Sequence, residues 1–231
     1  MEHTPGPDAS PRLAGLLARV PLMARELPEF DAGDAPADPA ELFARWLVLA
    51  RAAGVPDAHA VTLATVDAAG APDARVVALR DVDPPSGRWF VATSADSPKG
   101  AQLAACPAAA MCLYWPAQGR QIRVRGPVSA CPAQTAAEDF ATRSPAARTA
   151  ALVGRQSRPL PSPAAYDAAE SAARERLAHD PAAVPPDHRV YALRATAVEF
   201  WQGSPDRRHV RLLYTRPAPE ATAWERRLLW P

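Results

Sequence analysis

From residue 38 to 54 the apolar positions Leu42, Trp46, Leu49 and Ala50 recur at helical spacing, which predicts a helix with one apolar stripe. Asp38 suits the N-cap, Pro39 the first helical position and Glu41 the capping box, while Gly54 follows the last turn. From Ala60 the period falls to two. Residues 61–66 alternate, 67–72 are rich in turn formers and 74–81 alternate again, so this stretch predicts a β-hairpin. A third strand is predicted over 88–93, after the turn at 84–87. Ser97 and Pro98 then open a short helix that runs through Ala105. Residues 111–115 and 121–130 predict a further strand pair, joined by the turn at 116–119.

Beyond this point helices and strands follow in blocks. Cys131 and Pro132 begin a helix running to about Arg143, Ser162 and Pro163 begin another to about His179, and residues 149–161 between them show no clear period. Strands are predicted over 189–195, 197–202, 210–215 and 223–229. About eight or nine strands, with helices inserted and no βαβ rhythm, predict a mainly β fold: an antiparallel barrel with peripheral helices. Residues 1–37, rich in Pro, Asp and Gly with one apolar patch over 13–22, are expected to form a mobile tail that partly docks. Residues 38–231 are expected to form a single domain.

Composition narrows the function. With 231 residues, 48% of them hydrophobic, the chain can build a full core. A net charge of +1 from 26 basic and 25 acidic residues gives no global attraction to nucleic acid or a membrane surface, so any anion site is local. Cys106, Cys112 and Cys131 are odd in number, with no CxxC and no His at metal spacing, so no disulfide framework and no metal site is expected. No apolar run approaches the roughly 18 residues of a membrane span, and the first residues lack a signal-peptide pattern. The expected location is cytoplasmic. No Ser-His-Asp order, HExxH or paired-carboxylate spacing stands out, and there is no GxGxxG or P-loop signature, which leaves hydrolysis and metal catalysis with little support.

The chemistry concentrates between Glu199 and Arg211. If residues 207–211 are extended, Arg207, His209 and Arg211 share one face at intervals of roughly 7 Å, a row suited to an anion or an electron-rich ring. A solvated edge strand whose charges oppose aggregation is the other reading of that row. Lys99 lies in the first turn of a helix, where free N–H groups already favour an anion. Arg75 and Arg80 bracket the second strand on opposite faces, and Gln121 and Arg123 share a face of a later one; ordinary surface positions and cross-strand pairing explain these equally.

Taken together, the motifs Arg75-Val-Val-Ala-Leu-Arg80, Thr93 with Ser97-Pro-Lys-Gly100, Arg120-Gln-Ile-Arg123, Arg155-Gln-Ser157, Glu199-Phe-Trp-Gln-Gly203, Arg207-Arg-His209 and Arg211 stand in an order and spacing that resemble the pyridoxine (pyridoxamine) 5′-phosphate oxidase family. The resemblance runs from Asp38 to Pro231. It implies an FMN-binding split β-barrel and a homodimer with FMN at the interface. Carried over by position, the cofactor set falls on Arg75, Val76, Val77, Ala78, Leu79, Arg80, Thr93, Lys99, Gln121, Gln156, Ser157, Trp201 and Arg211. The resemblance places Arg207 and His209 over the flavin, facing the substrate, for a hydride transfer whose final acceptor is O2.

The departures lie mainly at the substrate end. The family's phosphate clamp of lysine, tyrosine, arginine and serine falls on Arg80, Asp139, Arg143 and Ala147. Pro98 and Ala92 stand where the family carries arginine and tyrosine, and Val210 where it carries aspartate. A kept flavin site beside an altered substrate site resembles the phenazine-biosynthesis branch, which shares the SxKG and RQS sequences. The expected activity is therefore oxidation of a biosynthetic ring intermediate. Its competitors are pyridoxine/pyridoxamine 5′-phosphate oxidation, non-catalytic binding of FMN or a B6 vitamer, and a split-barrel relative using a deazaflavin or haem.

Overall fold

The computed structural model describes residues 13–20 and 23–231; residues 1–12, 21 and 22 of the expected tail lie outside the described residues. After the short helix α1 (Leu13–Leu17) comes α2 (Pro39–Ala52), the first element that packs on the core. Asp38 caps it by accepting the Ala40 N–H at 2.7 Å. Its buried face holds Leu42, Phe43, Trp46 and Ala50. Leu49, expected in that stripe, is 53% exposed. Phe43 packs on Trp89 with ring centroids 4.6 Å apart, which turns the buried face toward it and leaves Leu49 on the margin.

Nine strands follow: β1 (Ala60–Val66), β2 (Pro72–Asp83), β3 (Arg88–Ser94), β4 (Ala108–Trp115), β5 (Arg120–Ala130), β6 (His188–Arg194), β7 (Ala197–Gln202), β8 (Val210–Thr215) and β9 (Glu225–Leu228). Their order is β4-β1-β2-β3-β6-β5-β7-β8-β9, and the additional β4–β5 pairing closes the first six into an antiparallel barrel. The alternating positions read from the sequence point into that barrel. Val61, Leu63, Leu113, Ile122 and Leu193 are at most 1% exposed. Removing one such side chain down to alanine costs about 2–5 kcal/mol.

The split arises in β5. Its first half, Arg120 to Arg125, pairs with β7, whereas Val128 to Ala130 pair with β6. The changeover falls at Gly126, where a Cβ would stand 2.0 Å from the Arg194 carbonyl oxygen, so only glycine fits. β7, β8 and β9 extend the sheet away from the barrel.

Four helices flank the barrel: α3 (Pro98–Ala105), α4 (Ala133–Ala141), α5 (Pro145–Val153) and α6 (Pro163–His179). α5 lies partly in the stretch where no period was read. Ser144 caps it, accepting the Ala147 N–H at 3.3 Å, but its many alanines hide the amphipathic rhythm. A second difference bears on function. β8 begins only at Val210, and Arg207 sits in the preceding turn with φ of 68°, so Arg207, His209 and Arg211 do not form a row along one strand. The turn residues Pro205 and Asp206 keep the chain curved until Val210.

Residues 23–37 lie against the barrel. Phe30 meets Trp46 edge-on at 5.0 Å, Arg25 donates to the Pro116 carbonyl at 2.5 Å, and the Tyr214 hydroxyl donates to the Pro36 carbonyl at 2.8 Å. Among the described residues no helix is long and apolar enough to cross a membrane.

Candidate active site

A cavity of about 460 Å³ opens beside the barrel, walled by β2, β3, the start of α3, the α4–α5 region and α6. Val76, Val77 and Ala78 form one wall. β2 pairs with β1 as far as Ala78 but with β3 only from Leu79. No strand pairs with the other edge of residues 76–78 among the described residues, so its backbone N–H and C=O groups can meet a ligand.

Lys99 and Thr93 line the cavity beside that edge. Ser97 caps α3 by accepting the Gly100 N–H, and a Cβ on Gly100 would stand 2.4 Å from the Ala95 carbonyl oxygen. This tight turn holds Lys99 inward. The Lys99 side chain belongs to a residue 6% exposed, and its Nζ donates to Gln156 Oε1 at 2.8 Å and to Ser97 Oγ at 3.3 Å. Both acceptors are neutral. Burial, and then the nearby Arg75 charge, push the Lys99 ammonium below its ordinary value.

Gln156 reaches the cavity from a strained loop. Arg155 and Ser157 flank it with φ of 57° and 65°, a left-handed conformation costing about 1–3 kcal/mol for a non-glycine residue. Ser157 itself is exposed. Arg75 stands outside the wall: its Nη1 donates to Thr65 Oγ1 at 2.6 Å, and its Nη2 to Asp73 at 2.5 Å and Gln102 at 2.9 Å.

Arg143 and His188 line the other end. Behind them Asp139 accepts from Arg80 Nε at 2.6 Å, meets His188 Nε2 at 3.1 Å and lies 3.8 Å from Arg143 Nε. Burial raises the Asp139 pKa, but the His188 and Arg80 hydrogen bonds, with the Arg80 and Arg143 charges, outweigh it and hold the carboxyl below its ordinary value. Arg80, Asp139 and Arg143 were legible as a group. His188, 4% exposed and 49 residues away from Asp139 in sequence, was missed, because no local motif marks it. Ala147 also lines the cavity.

The remaining site residues, Gln121 on β5, Trp201 on β7, Arg211 on β8, and Arg207 and His209 in the turn before β8, do not line this cavity. Gln121 pairs with Trp201 across β5 and β7. The Trp201 and His209 rings lie 4.9 Å apart. The Ser204 N–H donates to His209 Nδ1 at 3.0 Å, so the neutral ring carries its proton on Nε2, free to donate. Glu199 takes Arg211 at 2.8 Å and Arg123 at 3.2 Å, and Arg211 also donates to the Trp230 carbonyl. Arg207 is exposed.

Residues 50–202 match the family described as "Pyridoxamine 5'-phosphate oxidase", and residues 188–231 match the "Pyridoxine 5'-phosphate oxidase C-terminal dimerisation region". A pyridoxine/pyridoxamine 5'-phosphate oxidase of Burkholderia cenocepacia is 40% identical over 194 residues, covering 84% of this chain and 89% of the relative. One from Brucella canis is 37% identical over 195 residues, covering 84% and 95%. Among solved structures, PhzG from Burkholderia lata in complex with tetrahydrophenazine-1-carboxylic acid superposes with a TM-score of 0.79 at 28% identity, covering 89% of this chain and 99% of that one. The chain belongs to the pyridoxamine 5'-phosphate oxidase family.

Proposed function

We infer that this protein is a homodimeric, FMN-dependent oxidase that removes two electrons from a partly reduced, carboxylated ring, with O2 as the final acceptor. The observation that carries this reading is the separation of the site residues into two clusters within one chain. Trp201, Arg207, His209 and Arg211 lie inside the segment matching the family's dimerisation region, and Gln121 pairs with Trp201, so a second copy would bring these residues to the first copy's cavity. Likeness to the PhzG complex supports the choice of ring.

The residues present fit FMN. A buried lysine with neutral partners, at the start of a helix and beside an unpaired strand edge, suits a phosphate dianion. Lys99 would supply the charge, with Arg75, already paired to Asp73, adding positive potential from outside the wall. The backbone of Val76, Val77 and Ala78 would supply donors and acceptors along the edge, and Thr93 and Gln156 neutral hydrogen bonds. Gln121, Trp201 and Arg211 would close the site from across the interface. Bound there, FMN would supply the two-electron acceptor, and the protein's task would be orientation and exclusion of water. Arg207 would press on the substrate ring, and His209 would donate from Nε2 to one of its substituents.

Oxidation of pyridoxine or pyridoxamine 5'-phosphate is the second reading, favoured by the 40% identity to an oxidase of that name. Oxygen uptake by the pure yellow protein, supplied in turn with tetrahydrophenazine-1-carboxylic acid and pyridoxamine 5'-phosphate, separates the two. Faster uptake with the first is expected. Turnover of the B6 phosphate alone would sink the ring-oxidase reading, and a yellow protein inert to both would mark a binding protein.

A further inference from the structure

The Arg143 end of the cavity holds an anion-binding arrangement that already contains its own anion. Two guanidinium groups, from Arg80 on β2 and Arg143 just beyond α4, converge on Asp139, and His188 closes the group from β6. Both carboxylate oxygens are engaged: Oδ1 by Arg80, and Oδ2 by His188 with Arg143 beyond it. Arg143 Nε, by contrast, is buried and has no hydrogen-bond partner among the described residues. Arg143 thus lines the cavity with its buried Nε left unpartnered 3.8 Å from Asp139 Oδ2, while Asp139 stands behind the wall.

The two guanidinium groups and the Asp139 carboxylate together carry one net positive charge. A monoanion balances it. A dianion leaves excess negative charge beside a carboxylate of which only 10% is exposed, where water and salt screen weakly. At equal distance the repulsion from Asp139 and the attraction to the two guanidinium groups both double from a carboxylate to a phosphomonoester dianion. The cost of withdrawing the ion from water, however, rises as the square of its charge, so a group with one net positive charge favours the monoanion. Asp187 lines the same cavity, hydrogen-bonded to Ser94, and adds to the bias.

We propose that Asp139 is a positioning residue that sets the anion selectivity of this end, holding Arg143 and His188 for a planar carboxylate and disfavouring a phosphomonoester. It deepens the ring-oxidase reading, on which it rests for taking this end as the substrate's. Asp139 acts through Arg143 and His188 and touches no ligand itself.

Benzoate and phenyl phosphate, matched in their ring, test this by calorimetric titration of the full-length, flavin-loaded protein. At about pH 8 a phosphomonoester, with its second pKa near about 6, is a dianion. Wild type is expected to bind benzoate more tightly by about tenfold, in keeping with the cost of juxtaposed like charges. Asp139→Asn should shift the ratio by about tenfold toward phenyl phosphate, and Asp139→Glu, which keeps the charge, should preserve the wild-type preference. A merely structural role would weaken both ligands together and leave the ratio unchanged. Preference of wild type for phenyl phosphate, binding of neither ligand, or an unchanged ratio in Asp139→Asn would overturn the proposal. Should that variant not fold, the wild-type ratio decides alone. Flavin absorbance reports on the oxidase separately: protein that stays colourless after incubation with FMN, yet keeps the carboxylate preference, would break the oxidase reading and leave Asp139 selective.

Discussion

One cavity has two cationic ends, and they treat charge in opposite ways. At one end Lys99 is buried against the Ser97 hydroxyl and the Gln156 amide oxygen, with no carboxylate within ion-pair distance among the described residues. At the other, Arg80, Arg143 and His188 share the carboxylate of Asp139. The unbalanced end is uncomfortable when empty, as the lowered Lys99 pKa shows, and becomes favourable when a strong anion arrives. The balanced end is stable when empty and gains little from extra negative charge. A fold can thus build, within one cavity, a tight site for an obligate anion and a selective site for a variable one.

The strongest way to break this comparison is Lys99→Ala. A hydrogen bond to a charged group contributes about 1.5–3 kcal/mol, so FMN affinity should fall by roughly tenfold to a hundredfold in a flavin fluorescence titration. Affinity equal to wild type would mean that the unbalanced charge is not what holds the phosphate. Arg211→Ala should weaken FMN by less, because Glu199 already balances that cation at 2.8 Å. Arg207→Ala should keep its flavin and lose turnover by about a hundredfold, the scale of a misplaced substrate. Flavin loss from Arg211→Ala matching that from Lys99→Ala would show that carboxylate pairing does not decide which cations serve the cofactor.

The two ends were not equally legible in the sequence. Lys99 could be read because its setting is local: Ser97, Pro98 and Gly100 write a capped helix start, and the helix points the lysine inward. Asp139 could be read only as an intrusion among cations. What it does depends on His188, brought in by β6, and on Arg80, 59 residues earlier on β2, and no local pattern records such pairings. The same contrast runs through the fold. Strands with one buried face were readable from alternation, and β7 and β8 fall where expected. α5 was hidden by alanines, and the row of Arg207, His209 and Arg211 failed because Pro205 and Asp206 extend the turn. His209 is oriented instead by the Ser204 N–H, a contact across that turn.

A pH titration sharpens the comparison further. Lys99 in the empty protein loses its proton below the ordinary lysine value of 10.5. Between the folded and unfolded values the unfolded chain binds more protons, so stability of the flavin-free protein should rise with pH across that window. FMN affinity should move the opposite way, falling as Lys99 deprotonates. Lys99→Met should flatten both trends in paired thermal-shift and fluorescence titrations. If FMN affinity in wild type stays level across the window, the phosphate does not depend on the Lys99 charge.

Ser97→Ala is the smallest test, and it separates the lysine's charge from its placement. The Ser97 hydroxyl accepts the Gly100 N–H and donates to the Ser94 carbonyl at 2.7 Å, besides receiving Lys99 Nζ. Loss of an N-cap costs about 0.5–2 kcal/mol, so the denaturation midpoint should fall modestly in urea. Gln156 still accepts from Lys99, and the close approach of Gly100 to Ala95 still fixes the turn, so FMN affinity should change less than in Lys99→Ala. A loss of flavin as large as that of Lys99→Ala would mean that the hydroxyl aims the ammonium. The unbalanced end would then depend on one neutral hydrogen bond for its geometry, as the balanced end depends on Asp139.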